Sequence, residues 1–218
     1  MISLVGFSSL CLATLFSFFA LLPKSIINLK IKYFYIILRF STLLICVSFL
    51  SLMTAYITSD FSNFNVFQNS HSDKPLIYKI SGTWGNHEGS ILLWLSMISI
   101  FGFIYSFTSR SFDKFKINVL KIQNGIFLIF ALFIIFTSNP FLVNSVLVEE
   151  GLGLNPILQD PALAIHPPML YLGYVGFSLV FSLAIASLLK TNSDQIWIIE
   201  IRKWSMISCC LLYTSPSP

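Results

Sequence analysis

The sequence predicts an all-α protein, a polytopic bundle of transmembrane helices with five complete spans and a truncated sixth. Hydrophobic residues make up 56% of the 218 residues and charged residues only 10%, and the mean hydropathy is +0.81. This composition lies far from that of a soluble domain. The apolar residues also form nearly uncharged stretches that can cross a hydrocarbon core of about 30 Å, which takes about 20 helical residues.

The five complete spans are expected near residues 2–22, 36–58, 89–108, 119–138 and 169–189, and a sixth begins near Trp204. No basic residue precedes the first span and a lysine cluster follows it, the reverse of a cleavable secretory signal. We therefore expect it to be retained. An Asn139-Pro140 step ends the fourth span, because the residue before a proline disfavours the helical conformation.

Lysine and arginine fall in alternate connections between the spans. The first, third and fifth connections carry Lys24, Lys30, Lys32, Arg110, Lys114, Lys116, Lys190, Arg202 and Lys203. The positive-inside rule places these connections on the cytoplasmic or matrix side. Residues 59–88 and 139–168 should then face outward, together with the N-terminus. This pattern explains most of the formal charge of +4, and no basic block indicates nucleic-acid binding.

The chain is expected to form one membrane domain over residues 1–212. The polar segment Tyr213-Thr-Ser-Pro-Ser-Pro218 arrives before a sixth span can finish, so we expect residues 213–218 to be a non-native or truncated tail. The four cysteines form no C-x-x-C or C-x-x-C-H motif. Covalent haem attachment to this chain and dithiol exchange are therefore not expected.

A polar run that ends at an apolar stretch sets His166 at a membrane edge. Pro167 disfavours the helical conformation of His166, while Pro168 lacks an N–H that a first helical turn does not need. We therefore expect His166 to be extended and to lie just outside a helix. The partial positive charge of a helix N-terminus favours the neutral imidazole, which can ligate a metal or haem iron.

A second histidine, His87, precedes the third span in the segment Trp84-Gly-Asn-His-Glu-Gly-Ser90. The topology brings His87 and His166 to the same membrane face. Trp84 suits the interface, and the flanking glycines allow close approach of a flat ligand or another helix. The main alternative for His87 is a hydrogen bond at the helix start or to a loop. We assign no ligand role to His71, which lies in a polar loop.

Three segments in this order resemble the CcmF family of cytochrome c-type biogenesis proteins, which includes the CycK and NrfE types. They are Trp84-Gly-Asn-His-Glu-Gly-Ser90, Ser138-Asn-Pro-Phe141 and Leu154-Asn-Pro-Ile-Leu-Gln-Asp-Pro-Ala-Leu-Ala-Ile-His-Pro-Pro-Met-Leu-Tyr-Leu-Gly-Tyr-Val-Gly176. The resemblance implies a haem-binding membrane component of cytochrome c maturation, the haem lyase subunit that joins haem to apocytochrome c. In that reaction two thiols of a C-x-x-C-H segment add to the haem vinyl groups.

The resemblance implies His166 as an iron ligand of the transient b-type substrate haem, with Trp84, His87, Pro167 and Tyr171 around it. It implies no other metal and identifies no catalytic residue. The implied partners are apocytochrome c, a haem-delivery chaperone, a thiol reductase and the lipid bilayer. Family members continue into a tryptophan-rich outward segment and into ligands of a second, structural haem, which this sequence lacks. We therefore expect an N-terminal fragment that is inactive alone.

Two alternative functions remain open at this point. The first is a haem transporter or haem-delivery subunit of the same pathway. The second is a membrane subunit of a respiratory complex or ion transporter, which predicts charged residues buried within the spans. The 22 phenylalanines suggest an AT-rich genome and hence the mitochondrial inner membrane. The bacterial inner membrane is the alternative, with the two histidine loops in the periplasm rather than the intermembrane space.

Overall fold

The structure is a computed structural model that describes residues 1–23, 30–108, 113–145, 148–153, 159–189 and 196–214. Eight α-helices lie in these ranges: α1 (Ile2–Leu21), α2 (Ile31–Ile57), α3 (Phe64–Asn69), α4 (Leu76–Gly82), α5 (His87–Thr108), α6 (Asp113–Phe136), α7 (Pro161–Leu188) and α8 (Ile196–Thr214). The described residues contain an isolated bridge between Asn63 and Val143 but no strand. The predicted all-α class is confirmed.

Five of these helices, α1, α2, α5, α6 and α7, are long and apolar enough to cross a membrane. They correspond in order to the five predicted spans. Of the basic residues that set the predicted topology, Lys24, Arg110 and Lys190 lie outside the described residues. The protein is therefore an integral membrane protein by the length and composition of its helices.

Helix α8 begins at Ile196 rather than near Trp204, and it carries Glu200, Arg202 and Lys203 in its first half. It packs along α7, where a Cβ added to Gly176 would lie 2.3 Å from the Ser208 hydroxyl oxygen. Gly176 of α7 thus allows close packing of the two helices. Helix α8 continues to Thr214, and residues 215–218 lie outside the described part of the chain.

Polar side chains join the spans where the bilayer offers no water. In the group that we call the amide cluster, Asn124 of α6 accepts from the Ser17 hydroxyl of α1 at 2.7 Å and donates to the Ser17 carbonyl at 2.9 Å. Gln123 donates to the Ile98 carbonyl of α5 at 3.1 Å and to the Ser178 hydroxyl of α7 at 2.9 Å. Such bonds hold membrane helices together because lipid tails give no hydrophobic drive. The cluster therefore fixes α5 and α7 relative to α6.

The two predicted outward connections pack against each other at one end of the bundle, which we call the loop end. Helices α2 and α6 end there, and α5 and α7 begin there. Phe64 donates its backbone N–H to the Leu142 carbonyl at 2.8 Å, and Asn144 donates to the Ser62 carbonyl at 2.8 Å. These bonds satisfy backbone groups that would otherwise be unpaired. They turn two loops into one cap over the helix ends.

His166 lies inside α7, so the prediction that it is extended and outside a helix is wrong. Asp160 starts the helix earlier, because its carboxylate accepts from the Ala162 backbone N–H at 2.8 Å. Pro168 lacks the N–H that would pair with the Ala164 carbonyl, and the Trp84 indole N–H donates to that carbonyl at 3.0 Å. A donor distant in sequence thus compensates for the proline. The helix-dipole argument for His166 weakens, because that effect fades beyond the first turn.

Candidate functional site

The two histidine segments meet at the loop end through Trp84 and Ala164. Trp84 precedes α5 and is half-buried, while Ala164 lies in the first turns of α7 and is buried. The bond from the indole N–H to the Ala164 carbonyl places the Trp84 segment against the part of α7 that carries His166. The predicted convergence of these two sequence regions is therefore present in the fold.

His87 is the first residue of α5, and its side chain is exposed. Its Nε2 atom lies 3.2 Å from the Ser138 hydroxyl, in the Ser138-Asn-Pro-Phe141 segment that follows α6. This is the loop hydrogen bond that we gave as the alternative to ligation. A histidine that binds a metal ion through one ring nitrogen usually makes a hydrogen bond through the other. The Ser138 contact is therefore also compatible with His87 as an iron ligand whose ring is held in place.

His166 is half-buried on α7, as are the two prolines that follow it. Tyr171 lies about one turn further along the same helix and packs edge-on against Trp94 of α5, with ring centroids 5.4 Å apart. Trp94 also contacts Phe130 of α6, at 6.4 Å between centroids. An aromatic group from three spans therefore lies just beyond His166 along α7.

A cavity of about 420 Å³ opens beside this aromatic group, between α5, α6 and α7. Its walls include the rings of Trp94, Phe130, Tyr171 and Tyr174, with Val175 deeper in the bundle. Apolar cavities with a few polar groups at one end are typical ligand sites. Neither His87 nor His166 lines this cavity, so the imidazoles and the aromatic walls are separate features of the structure.

A buried hydrogen-bond network, which the sequence did not predict, holds both neighbours of His87. Tyr56, fully buried near the end of α2, donates to the Asn65 side chain and accepts from Asn86 Nδ2 at 2.9 Å. Asn65 Nδ2 donates to Asn86 Oδ1 at 3.0 Å and to Glu88 Oε2 at 3.1 Å. His87 therefore lies between two residues whose side chains are fixed. No local pattern indicates this network, since its members come from three separate segments.

Gly89 allows the chain to turn tightly into α5. A Cβ added there would lie 1.7 Å from the Thr83 carbonyl oxygen, which is far inside van der Waals contact. Asn86 Oδ1 accepts from the Gly89 backbone N–H at 2.8 Å, so the same turn is capped by the network. The flanking glycines were expected to admit a flat ligand or another helix, but the group nearest to Gly89 is the Thr83 carbonyl of its own segment.

The remaining histidine, His71, belongs to a surface contact in the cap. Its Nδ1 atom lies 3.8 Å from carboxylate oxygens of Asp73 and Glu150. Hydrogen bonds from the Ser72 side chain and backbone to the Glu150 carboxylate hold the pKa of Glu150 at about 2. Within the described ranges, no group of three or more His, Cys, Asp or Glu residues could hold a metal ion.

The chain is similar to several proteins that are all named as cytochrome c-type biogenesis proteins. The chain is 50% identical to the cytochrome c-type biogenesis protein CycK of Rhizobium meliloti, over 78% of this chain and 25% of CycK. It is 43% identical to CcmF of Escherichia coli, over 76% of this chain and 26% of CcmF. It is also 36% identical to NrfE of Haemophilus influenzae, over 95% of this chain and 34% of NrfE. The chain thus spans about a quarter to a third of these relatives.

The fold is also that of a solved structure. The structure of "Cytochrome c Heme Lyase CcmF" superposes with a TM-score of 0.83, covering 99% of this chain and 35% of that chain at 24% identity. This likeness concerns the fold. The model of the family described as "Cytochrome C assembly protein" matches residues 84–214, which begin at Trp84 and include both histidine segments and α8. Because that match covers more than half of the sequence, the chain belongs to the cytochrome c assembly protein family.

Proposed function

We propose that this chain is part of a haem-binding membrane component of cytochrome c maturation that joins haem to apocytochrome c. The observation that carries the proposal is the Trp84 to Ala164 hydrogen bond, because it brings the His87 and His166 segments to one end of the bundle. The family and the printed names of the relatives support the same pathway. The activity belongs to a longer protein, of which residues 1–212 form an N-terminal part of the membrane domain.

The proposed reaction is the addition of two cysteine thiols of a C-x-x-C-H segment to the two vinyl groups of haem. In each addition the sulfur bonds to one vinyl carbon, the hydrogen goes to the other, and the C=C bond becomes single. Atoms balance without an oxidant. The reactive carbons belong to haem, so the protein contributes by holding the two substrates in register.

His166 is the proposed ligand of the haem iron, with Trp84, His87, Pro167 and Tyr171 forming its surroundings. The position of His166 near the start of α7 supports this role, because the Trp84 bond ties that part of α7 to the His87 segment. Trp84 acts as a positioning residue through Ala164. The aromatic cavity beyond Tyr171 supplies apolar walls of the kind that a b-type haem requires.

The proposed location is an inner membrane, of a mitochondrion or of a bacterium. The loop end would face the intermembrane space or the periplasm, where apocytochrome c is matured. The proposed protein partners are apocytochrome c, a haem-delivery chaperone and a thiol reductase. The alternation of basic connections supports this orientation.

The alternative of a respiratory or ion-transporting subunit has little support. It predicts charged side chains buried within spans. The buried polar residues in the described part of the chain are Ser, Thr, Asn and Gln, with no charged residue among them. Arg39 of α2 is half-buried, and its guanidinium carbon lies 3.7 Å from the centroid of the Phe107 ring. This cation–π contact satisfies the charge locally.

The test is a chimera in which this chain replaces the matching segment of Rhizobium meliloti CycK. We expect the chimera to support formation of holocytochrome c, and His166→Ala to lower both the haem that co-purifies and the holocytochrome yield. The matched control is His71→Ala, which removes an imidazole from the cap at the same end of the bundle. Equal yields from the two variants would contradict the proposed role of His166.

The same chimera separates joining from delivery of haem. The purified, haem-loaded protein is mixed with reduced apocytochrome c, and thioether formation is followed by the absorbance of the pyridine haemochrome. Product is expected for a lyase component. A protein that binds haem through His166 but forms no thioether, even with its partners present, would be a haem-delivery subunit.

A further inference from the structure

We propose that one water molecule is bound inside the membrane-spanning bundle, in a small cavity between α2, α5 and α6. The proposal concerns the half of the bundle away from the loop end and does not depend on haem binding. The cavity has a volume of about 20 Å³ and is lined by Ser41, Thr42, Ser99, Gln123 and Asn124 among others. A volume of roughly 10–15 Å³ is enough for one water molecule when polar partners are present.

The cavity contains a polar group that lacks a partner. Ser41 is 3% exposed, and its hydroxyl makes no hydrogen bond among the described residues. In a bilayer no bulk water can reach such a group, so an unpaired hydroxyl destabilises the fold. A bound water molecule would accept the Ser41 hydrogen or donate to its oxygen.

Other groups on the cavity wall have hydrogen-bonding capacity to spare. The amide nitrogen of Asn124 carries two hydrogens, and one of them is donated to the Ser17 carbonyl. The Thr42 hydroxyl donates to the Leu38 carbonyl at 3.0 Å and accepts from the Ser99 hydroxyl at 2.8 Å, which leaves acceptor capacity on its oxygen. Ser41, Asn124 and Thr42 together offer the two to four partners that an internal water needs.

The lining residues come from three spans, so the water would connect them. Ser41 and Thr42 belong to α2, Ser99 to α5, and Asn124 to α6. The amide cluster already joins α6 to α1, α5 and α7. The Ser99 to Thr42 bond already joins α2 to α5, and the water would add a link from Ser41 of α2 to Asn124 of α6.

Radical footprinting of the purified chain in detergent tests the proposal directly. X-rays convert an internal water into hydroxyl radicals that oxidise adjacent side chains even when these are buried. Phe127 lines the cavity and is 4% exposed, whereas Phe101 of α5 is 6% exposed and does not line it. We expect Phe127 to be oxidised well above Phe101. Oxidation of Phe127 no greater than that of Phe101 would overturn the proposal.

The substitution Ser41→Ala is a second, independent test, because the sign of the change in the midpoint temperature of unfolding differs between a dry and a hydrated cavity. In a dry cavity it removes an unpaired hydroxyl and raises the midpoint temperature of unfolding, whereas with water bound it removes a partner and lowers that temperature. The matched control is Ser48→Ala on the same helix, where the hydroxyl is also buried and unpaired among the described residues but does not line this cavity. We expect opposite shifts for the two variants, and a rise for both would refute the bound water.

If Ser41→Ala fails to fold, Gly102→Ala replaces it. An added Cβ at Gly102 would extend into the cavity and meet Gln123 Cγ at 3.4 Å, an ordinary contact. It displaces the water without a clash. Oxidation of Phe127 should then fall to the level of Phe101, and unchanged oxidation of Phe127 would count against the proposal.

Discussion

The loop end and the amide cluster satisfy their polar groups in different ways. At the loop end, segments distant in sequence are tied to backbone carbonyls, as when Trp84 donates to Ala164, and His87 stays exposed. In the amide cluster, Gln123 and Asn124 bond to other spans and are almost fully buried. The first arrangement ties loops and helix starts together, and the second holds the spans to one another. Loop anchoring and span packing thus lie in opposite halves of one bundle.

The largest effect is expected from Gly89→Ala at the loop end. A Cβ there overlaps the Thr83 carbonyl oxygen, so the turn into α5 must open and the Asn86 network must shift. Overpacking of this kind costs about 1–3 kcal/mol of the free energy of unfolding. Thermal unfolding in detergent measures it. The control is Gly125→Ala in α6, where an added Cβ meets nothing within 4 Å, and a similar loss there would contradict the steric account.

Removal of the indole donor by Trp84→Phe is expected to have the next largest effect. The Ala164 carbonyl would then lack both the proline N–H and its substitute, at about 1–3 kcal/mol for an unpaired buried group. The free energy of unfolding and the haem absorbance spectrum of the chimera should both change. Trp94→Phe is the control, since it retains a ring in the aromatic group. Equal effects of the two variants would mean that ring packing, not the hydrogen bond, matters.

A smaller effect is expected from Gln123→Leu in the amide cluster. It leaves the Ile98 carbonyl and the Ser178 and Ser182 hydroxyls without this partner. Bonds between membrane helices contribute about 0.6 kcal/mol each on average. Stability should therefore fall while the haem spectrum of the chimera stays unchanged. A changed haem spectrum with unchanged stability would contradict the separation of the proposed haem-binding residues at the loop end from helix packing at the amide cluster.

The smallest effect is expected from Glu150→Gln in the cap, because solvent screens this exposed contact. The pKa of Glu150 is about 2 in the fold against an ordinary value of 4.5, so the ionised carboxylate stabilises the fold above pH 4.5. That contribution is lost as the pH falls from 4.5 towards 2. The midpoint temperature of the variant should depend less on pH in this window. Glu149→Gln is the control at the neighbouring exposed residue, and the same flattening there would contradict a specific contact with Ser72.

The five spans could be predicted from the sequence because length and apolar composition decide membrane insertion with little help from packing. The start of α7 could not, since local rules assign Pro167 and Pro168 to a helix start. A capping carboxylate at Asp160 and a donor from Trp84 overrule them. Trp84 and His87 were visible as candidates in the sequence, whereas the network that holds His87 was not.

The order of the spans found in the described residues, the alternation of basic connections and the two histidine segments could all be read from the amino-acid sequence. Three features depend on tertiary contacts: His166 lies within α7, Tyr56 and Asn65 hold the residues beside His87, and Gln123 joins three spans. The physical reason is the range of the forces involved. Burial in a bilayer depends on local composition, but a hydrogen bond depends on a partner that only the folded chain brings within 3 Å or so.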